Sequence, residues 1–186
     1  MWELNTAQPE ERETVCRFYE EVCAAQAGDP GGPNWHYGVY PCREDLEEHI
    51  EAGALRLMRV GGEPAAAMVV RTGEDPIYRE APWTVTEEPI RVLHLFAVHP
   101  AFRGLGLAKT MLRILLERAA NEGVKAVHLD VVKGNVPAER LYQTVGFRFV
   151  EECAVWYEDT GDCTVRLYEY VVPGAAKNAG NGENRT

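Results

Sequence analysis

Apolar and polar positions follow two rhythms along this chain. Val15, Phe18, Tyr19, Val22 and Cys23 recur at three- and four-residue steps, so Pro9 to Ala27 reads as an amphipathic helix. Leu105, Ala108, Met111, Leu112, Leu115 and Ala119 keep the same step and predict a helix from Leu105 to Ala120, ended by Gly123. Arg43 to Glu51 forms a shorter helix, and Asn135 caps another that tolerates Pro137 in its first turn. The remaining apolar runs have the length and composition of strands: Glu3 to Thr6, Leu55 to Val60, Pro64 to Arg71, Ile90 to Val98, Val124 to Val132, Phe147 to Tyr157 and Asp162 to Val172. Gly61-Gly62 closes a hairpin between the second and third, and Glu158 to Gly161 turns between the last two. Gly28 to Pro33 and Thr72 to Pro89 are breaks.

The run from Ile90 to Val132 is strand, helix, strand, which implies a parallel crossover. Open α/β sheets bind ligands beyond the carboxyl ends of such strands, where His99-Pro100 and Lys133-Gly134-Asn135 lie. The stretch after the first of these strands is Arg103-Gly-Leu-Gly-Leu-Ala108. Glycines let backbone approach a ligand closely, and the unpaired N–H groups and positive dipole of a helix start attract phosphate. A nucleotide P-loop is a poor match, because no glycine precedes Lys109-Thr110 at the required spacing. A dinucleotide fingerprint lacks its third glycine, where Lys109 stands, although Asp130 falls about where a ribose-binding acid belongs.

Two blocks together resemble the GNAT acetyltransferase superfamily. Arg103 to Ala108, preceded by Ala97-Val98-His99-Pro100, is similar to its acyl-CoA pyrophosphate loop. About 30 residues on, Asn135-Val-Pro-Ala138-Glu-Arg-Leu141-Tyr142-Gln-Thr-Val-Gly146-Phe147 is similar to its second signature. The resemblance implies an α/β fold with a mixed central sheet, largely antiparallel and splayed at its centre, flanked by about four helices over residues 1–172. It implies direct transfer of an acetyl group from acetyl-CoA to a primary amine of a small molecule or peptide. A non-catalytic acyl-CoA-binding module is the alternative, and since domains of this superfamily often pair through their last strands, the resemblance also allows a homodimer, here near Thr164 to Val172.

Such chemistry needs a group to take a proton from the ammonium, an N–H donor for the oxyanion and an acid for the leaving thiolate. By resemblance Tyr142 is the candidate acid, with a packed aromatic as the plainer alternative. Phe96, Ala97 and Val98 line the pantetheine arm. Arg103, Gly104, Leu105, Gly106, Leu107, Ala108, Lys109, Asn135 and Ala138 complete the cofactor set. His94 is the candidate base, placed by strand alternation on the face of Phe96 and Val98; a structural histidine, Glu87, Glu88 or a water relay are the alternatives. His99 reads as a turn residue. The loop aromatics Trp35, Tyr37, Tyr40 and Trp83, with Asp130, are candidates for the acceptor site.

Composition narrows the classes. At 186 residues and 46% hydrophobic content the chain suits one core rather than two domains. A formal net charge of -10 argues against nucleic acid or an anionic membrane as a partner, and an acidic rim would favour a cationic amine. There is no long apolar run and no leader at Met1-Trp2-Glu3-Leu4, so a cytoplasmic, soluble protein is expected. The five cysteines form no ligand-spaced cluster, so no metal is expected, and an odd count suits a reducing compartment. Residues 173–186 have almost nothing to bury and are expected to be disordered.

Overall fold

The computed structural model describes residues 2–174 apart from 3, 27, 28, 30, 31, 74, 76, 77 and 159. The expected tail lies outside the described residues from 175 onward. In chain order the elements are β1 (Leu4–Thr6), α1 (Arg12–Gln26), α2 (Arg43–Glu51), β2 (Leu55–Val60), β3 (Glu63–Thr72), β4 (Ile90–Val98), α3 (Leu107–Asn121), β5 (Ala126–Val132), α4 (Val136–Val145), β6 (Arg148–Tyr157) and β7 (Gly161–Val171). They build one seven-stranded sheet in the order β1-β2-β3-β4-β5-β7-β6. Every neighbouring pair is antiparallel except β4 and β5.

Alternation along the strands sorts side chains between two helical layers. Leu55, Leu57, Ala67 and Val69 face α1 and α2, where Val15, Phe18, Tyr19, Val22, Leu46 and Ile50 complete a core. Met58, Ala66, Met68, Val127, Leu129 and Val131 face the other way, onto Leu107, Met111, Leu112 and Leu115 of α3 and Tyr142 of α4. A third cluster lies under β6 and β7, where Val165 and Leu167 pack on Tyr78, Ala81 and Trp83 of the long loop before β4.

Two boundaries move from their sequence-based positions. The third helix starts at Leu107, because Gly106 sits at φ 77° in the left-handed region and serves as its cap. Pairing of β5 begins at Ala126, because the Val124 N–H turns back to Ala119 O at 2.9 Å and closes α3 instead. The stretch Thr164 to Val172, near which the resemblance implies a dimer surface, falls in the sheet's second-last position. Both edges of β7 are occupied, by β5 and β6, so the backbone edge on that side of the sheet belongs to β6. Among the described residues no helix is long and apolar enough to cross a membrane.

Candidate active site

The parallel pairing of β4 with β5 runs only from Ile90↔Ala126 to Leu93↔Leu129. Beyond it each strand stays bound on its outer side, β4 to β3 through Ala97↔Ala67 and β5 to β7 through Asp130↔Leu167. The inner edges of His94–Val98 and Asp130–Val132 therefore face a gap. A cleft of about 1580 Å³ passes through this splay and continues to Arg56, Val70, Leu115 and Arg118.

A bulge shapes the β4 side. Val69 pairs with His94 and Ala67 with Ala97, so three steps on β4 match two on β3, and Leu95 takes up the extra residue at φ 48°. This overturns the placement of His94 on the face of Phe96 and Val98. Across the bulge, Phe96 and Val98 rejoin Leu93 against the α3 core, while Leu95 and Ala97 turn to α1 and α2. His94 instead meets the loop before β4, with Nε2 3.3 Å from Asp75 Oδ2. Tyr19 of α1 fixes the bulge by donating its hydroxyl to Leu95 O at 2.7 Å.

At one end of the cleft the chain leaves β4 through a single 3-10 turn. His99 caps that turn, its Nδ1 accepting from Ala101 N at 3.2 Å while Nε2 meets Glu21. The first helical bond of α3 is Thr110 N–H to Gly106 O, so the N–H groups of Gly106, Leu107, Ala108 and Lys109 precede the helical ladder. Gly104 and Gly106 both hold positive φ, and a Cβ built on either meets no atom within 4 Å. Bare backbone N–H groups beside open space, with Arg103 exposed next to them, fit a pyrophosphate. The Leu107 side chain, at 1% exposure, is in the core, so only its N–H is available; Leu105 points to solvent.

Arg103, Ala108, Phe96, Ala97, Val98, Asn135 and Ala138 line the cleft with Leu141 of the second signature, and Val131, Val132 and Pro137, at no motif position, line it with them. Asn135 Oδ1 accepts from Ala138 N at 3.2 Å, so this side chain shapes the start of α4 as well as the cleft wall. Tyr142, two turns into α4, reaches the cleft from an aromatic cluster, with ring centroids 5.7 Å from Phe147 and 6.5 Å from Phe96. Burial, and then the nearby Asp130, push its phenol well above the ordinary value.

The other end is acidic and aromatic. Burial raises the Asp130 carboxyl; His94 opposes the rise, Asp75 adds to it, and the Tyr157 hydroxyl opposes it by donating to Oδ2 at 3.4 Å. Tyr157 is hydrogen-bonded in turn to the Tyr78 hydroxyl. Trp35 and Tyr40 line this end, as do Asp75, Tyr78, His49 and Tyr157. Asp75, Tyr78 and Tyr157 escaped the sequence reading because they lie in a loop and at a strand end with no motif around them.

Two expected acceptor residues lie elsewhere. Tyr37 sits outside the cleft walls beside Cys16; burial and that thiol push it up to about 12. Trp83 is 8% exposed and stacks on His128, centroids 3.9 Å apart and planes within 8°, with its indole N–H donated to Tyr78 O at 2.9 Å. A large ring whose one polar atom finds a partner is more stable buried than lining a wet cleft. The alternative bases are also placed away from the cleft walls: Glu87 pairs with Lys125 at 2.9 Å and Glu88 accepts from Ile90 N at 2.6 Å.

A parallel pair splayed over a glycine-rich helix start, with half-buried acid and imidazole groups and a buried phenol across the gap, agrees with the resemblance carried by the two motifs. The model of the acetyltransferase (GNAT) family matches residues 10–147, and the chain belongs to that family. A mycothiol acetyltransferase of Thermomonospora curvata is 39% identical over 66 residues, 35% of this chain and 22% of that protein. A [ribosomal protein bS18]-alanine N-acetyltransferase of Haemophilus ducreyi is 32% identical over 84 residues, 45% of this chain and 49% of that protein. The matches thus span about a fifth and about half of those relatives. In fold, the chain is similar to a GNAT-family acetyltransferase structure from Streptococcus agalactiae, with a TM-score of 0.77, 22% identity, and 91% and 95% of the two chains covered.

Proposed function

We propose that residues 1–172 form an N-acetyltransferase that moves an acetyl group from acetyl-CoA to a primary amine of a small molecule or peptide by direct attack, in the cytoplasm. The observation that carries this reading is the splay itself. One continuous cleft joins the bare N–H groups at the start of α3 to Asp130, His94 and Tyr142. The relatives support both acceptor kinds, one being named for mycothiol and the other for an alanine of a ribosomal protein.

Acetyl-CoA supplies the activated acetyl thioester. The α3 N-terminus and Arg103 bind its pyrophosphate, and the inner edge of Phe96 to Val98 orients its arm, one of these N–H groups facing the carbonyl oxygen. Asp130 holds the acceptor as its ammonium, between Trp35, Tyr40 and the Tyr78–Tyr157 pair. His94 takes the proton that must leave before the nitrogen can attack. Tyr142 stays protonated at working pH and holds a hydrogen bond toward the sulfur. Because Asp130 helps to hold that phenol up, an ammonium partner that offsets the carboxylate also makes the Tyr142 proton easier to give.

The test is ligand-dependent thermal stability together with release of free CoA thiol. Acetyl-CoA at about 100 times its Kd is expected to add about 2.7 kcal/mol to native stability. Gly106→Trp, which fills the open space at the helix start, should lose that gain. NAD in place of acetyl-CoA as the stabilising ligand would overturn the reading. Stabilisation by acetyl-CoA without thiol release across a panel of primary amines and peptides would leave a binding module.

A further inference from the structure

Past Leu93↔Leu129 the end of β4 has β3 on one edge and the cleft on the other, and α1 supplies ties that β5 no longer gives. Tyr19 holds Leu95 O, as described, and Phe18 brings its ring to 5.9 Å from that of His99, between centroids. One turn further along α1, Glu21 Oε2 lies 2.7 Å from His99 Nε2. The other ring nitrogen faces the cofactor loop, Nδ1 accepting from Ala101 N at 3.2 Å. The backbone of His99 is also committed: its N–H is bonded to Ala65 O and its carbonyl accepts from Phe102 N, both at 2.9 Å. A backbone N–H can only donate, so Nδ1 carries no proton while its bond stands. The neutral ring therefore keeps its proton on Nε2 and donates it to Glu21.

We propose that His99 is a positioning residue for the acyl-CoA cofactor: with Glu21 on one nitrogen and the Ala101 N–H on the other, it latches α1 to the turn that aims Arg103 and the start of α3 at the pyrophosphate. The purpose rests on the acetyltransferase reading; the two hydrogen bonds do not. Only Arg103, Gly104 and Leu105 separate this turn from the N–H groups of Gly106 to Lys109. Gly104 and Gly106 bring no side chain that could anchor the loop, and Leu105 points to solvent, so its course is set from its two ends. Leu107 fixes the far end in the core, and the His99 turn fixes the near one. Neither His99 nor Glu21 is part of the cleft wall, which places the effect in cofactor capture rather than in the transfer step.

The experiment is calorimetric titration of the full chain with acetyl-CoA at about 0.15 M salt, which screens the charge of an exposed carboxylate beyond about 8 Å. His99→Leu loses both bonds and should raise the Kd about 10-fold. His99→Asn keeps an acceptor where Nδ1 lies but has no atom at Nε2, and Glu21→Ala removes the partner there. Each should raise the Kd about threefold, and combining the two should add little more. Glu21→Gln loses the same charge yet keeps an oxygen that can accept, so it should bind as the wild type does. On amines that the wild type acetylates, the KM for acetyl-CoA should follow these changes while kcat at saturating cofactor moves less than about twofold. Spectra of 15N-histidine-labelled protein, recorded where the ring is neutral and with His99→Asn assigning one of the five histidines, should place the proton on Nε2. The decision does not depend on His99→Leu folding, because the Glu21 side chain is 52% exposed and its variants are expected to fold. Glu21→Ala binding acetyl-CoA as tightly as Glu21→Gln, or a wild-type ring protonated on Nδ1, overturns the latch. A wild type that does not bind acetyl-CoA at all overturns the acetyltransferase reading and the cofactor role of His99 with it, and that failure shows before any variant is compared.

Discussion

Tyr142 and Asp130 show how one buried charge sets two outcomes. Tyr142→Phe removes a hydroxyl and leaves the ring that packs on Phe147 and Phe96. Acetyl-CoA should stabilise this variant as it does the wild type, while kcat falls about 100-fold; full turnover would make Tyr142 a packing residue only. Asp130→Asn should abolish most of the turnover of a cationic amine yet raise the melting temperature at pH 7. Burial raises the folded-state carboxyl above its unfolded value, so the folded protein holds the proton more readily than the unfolded chain. Stability is therefore lost as pH rises from the unfolded value through the folded one. Melting curves from pH 7 downward should show the advantage of Asp130→Asn closing as the wild-type carboxyl protonates. A variant less stable than wild type at pH 7 would mean that the Tyr157 hydrogen bond and His94 outweigh burial.

At the level of elements, the loop between β3 and β4 is held by one carboxylate. Glu169 is 3% exposed and accepts from two backbone N–H groups and from His128 Nε2 at 3.2 Å. Burial raises its carboxyl, but the hydrogen bonds from His128, Thr84 and Val85 prevail and leave it below the ordinary value. A depressed carboxyl gives stability above its unfolded value, near 4.3, and loses it as pH falls through the folded value. Glu169→Gln should cost about 1.5–3 kcal/mol in urea unfolding at pH 7, with the difference fading in strong acid. The bulge in β4 should be as sensitive. Tyr19→Phe removes its tie to α1 and should cost about 1–2 kcal/mol in the same measurement. Most elements were legible, because periodicity reports which side chains a helix or strand must bury. The bulge was not. It arises from the mismatch between two strands distant in sequence, and it alone turned His94 away from Phe96 and toward Asp75. Trp83 was misplaced for a related reason: its partner His128 lies 45 positions on, within a strand whose apolar run hid it.

Across the whole molecule, the two ends of the cleft were legible to different degrees. The cofactor end is written in contiguous residues, since a strand end, two glycines and a helix start are neighbours in sequence. The acceptor end gathers Trp35 and Tyr40 before α2, Asp75 and Tyr78 before β4, Asp130 in β5 and Tyr157 in β6, which only the sheet order brings together. The charge of the chain follows the same division. Arg103 and Lys109 stand at the helix start, whereas Asp45, Glu48, Asp75, Asp130 and Glu158 outnumber Arg71 on the acceptor side, in a chain of formal net charge -10. If that acidity draws in the acceptor, kcat/KM for a cationic amine should fall severalfold as salt rises from about 0.01 to 0.1 M, which shortens the screening length from about 30 to about 10 Å. The same salt should leave kcat nearly constant, and it should not weaken capture of the anionic cofactor, whose long-range repulsion by the net charge it also screens. Initial rates with saturating cofactor and varied amine, then the reverse, read the two dependences separately. An amine dependence flat in salt would assign the acidity to solubility and leave acceptor choice to the short-range contacts of Asp130, Trp35 and Tyr40.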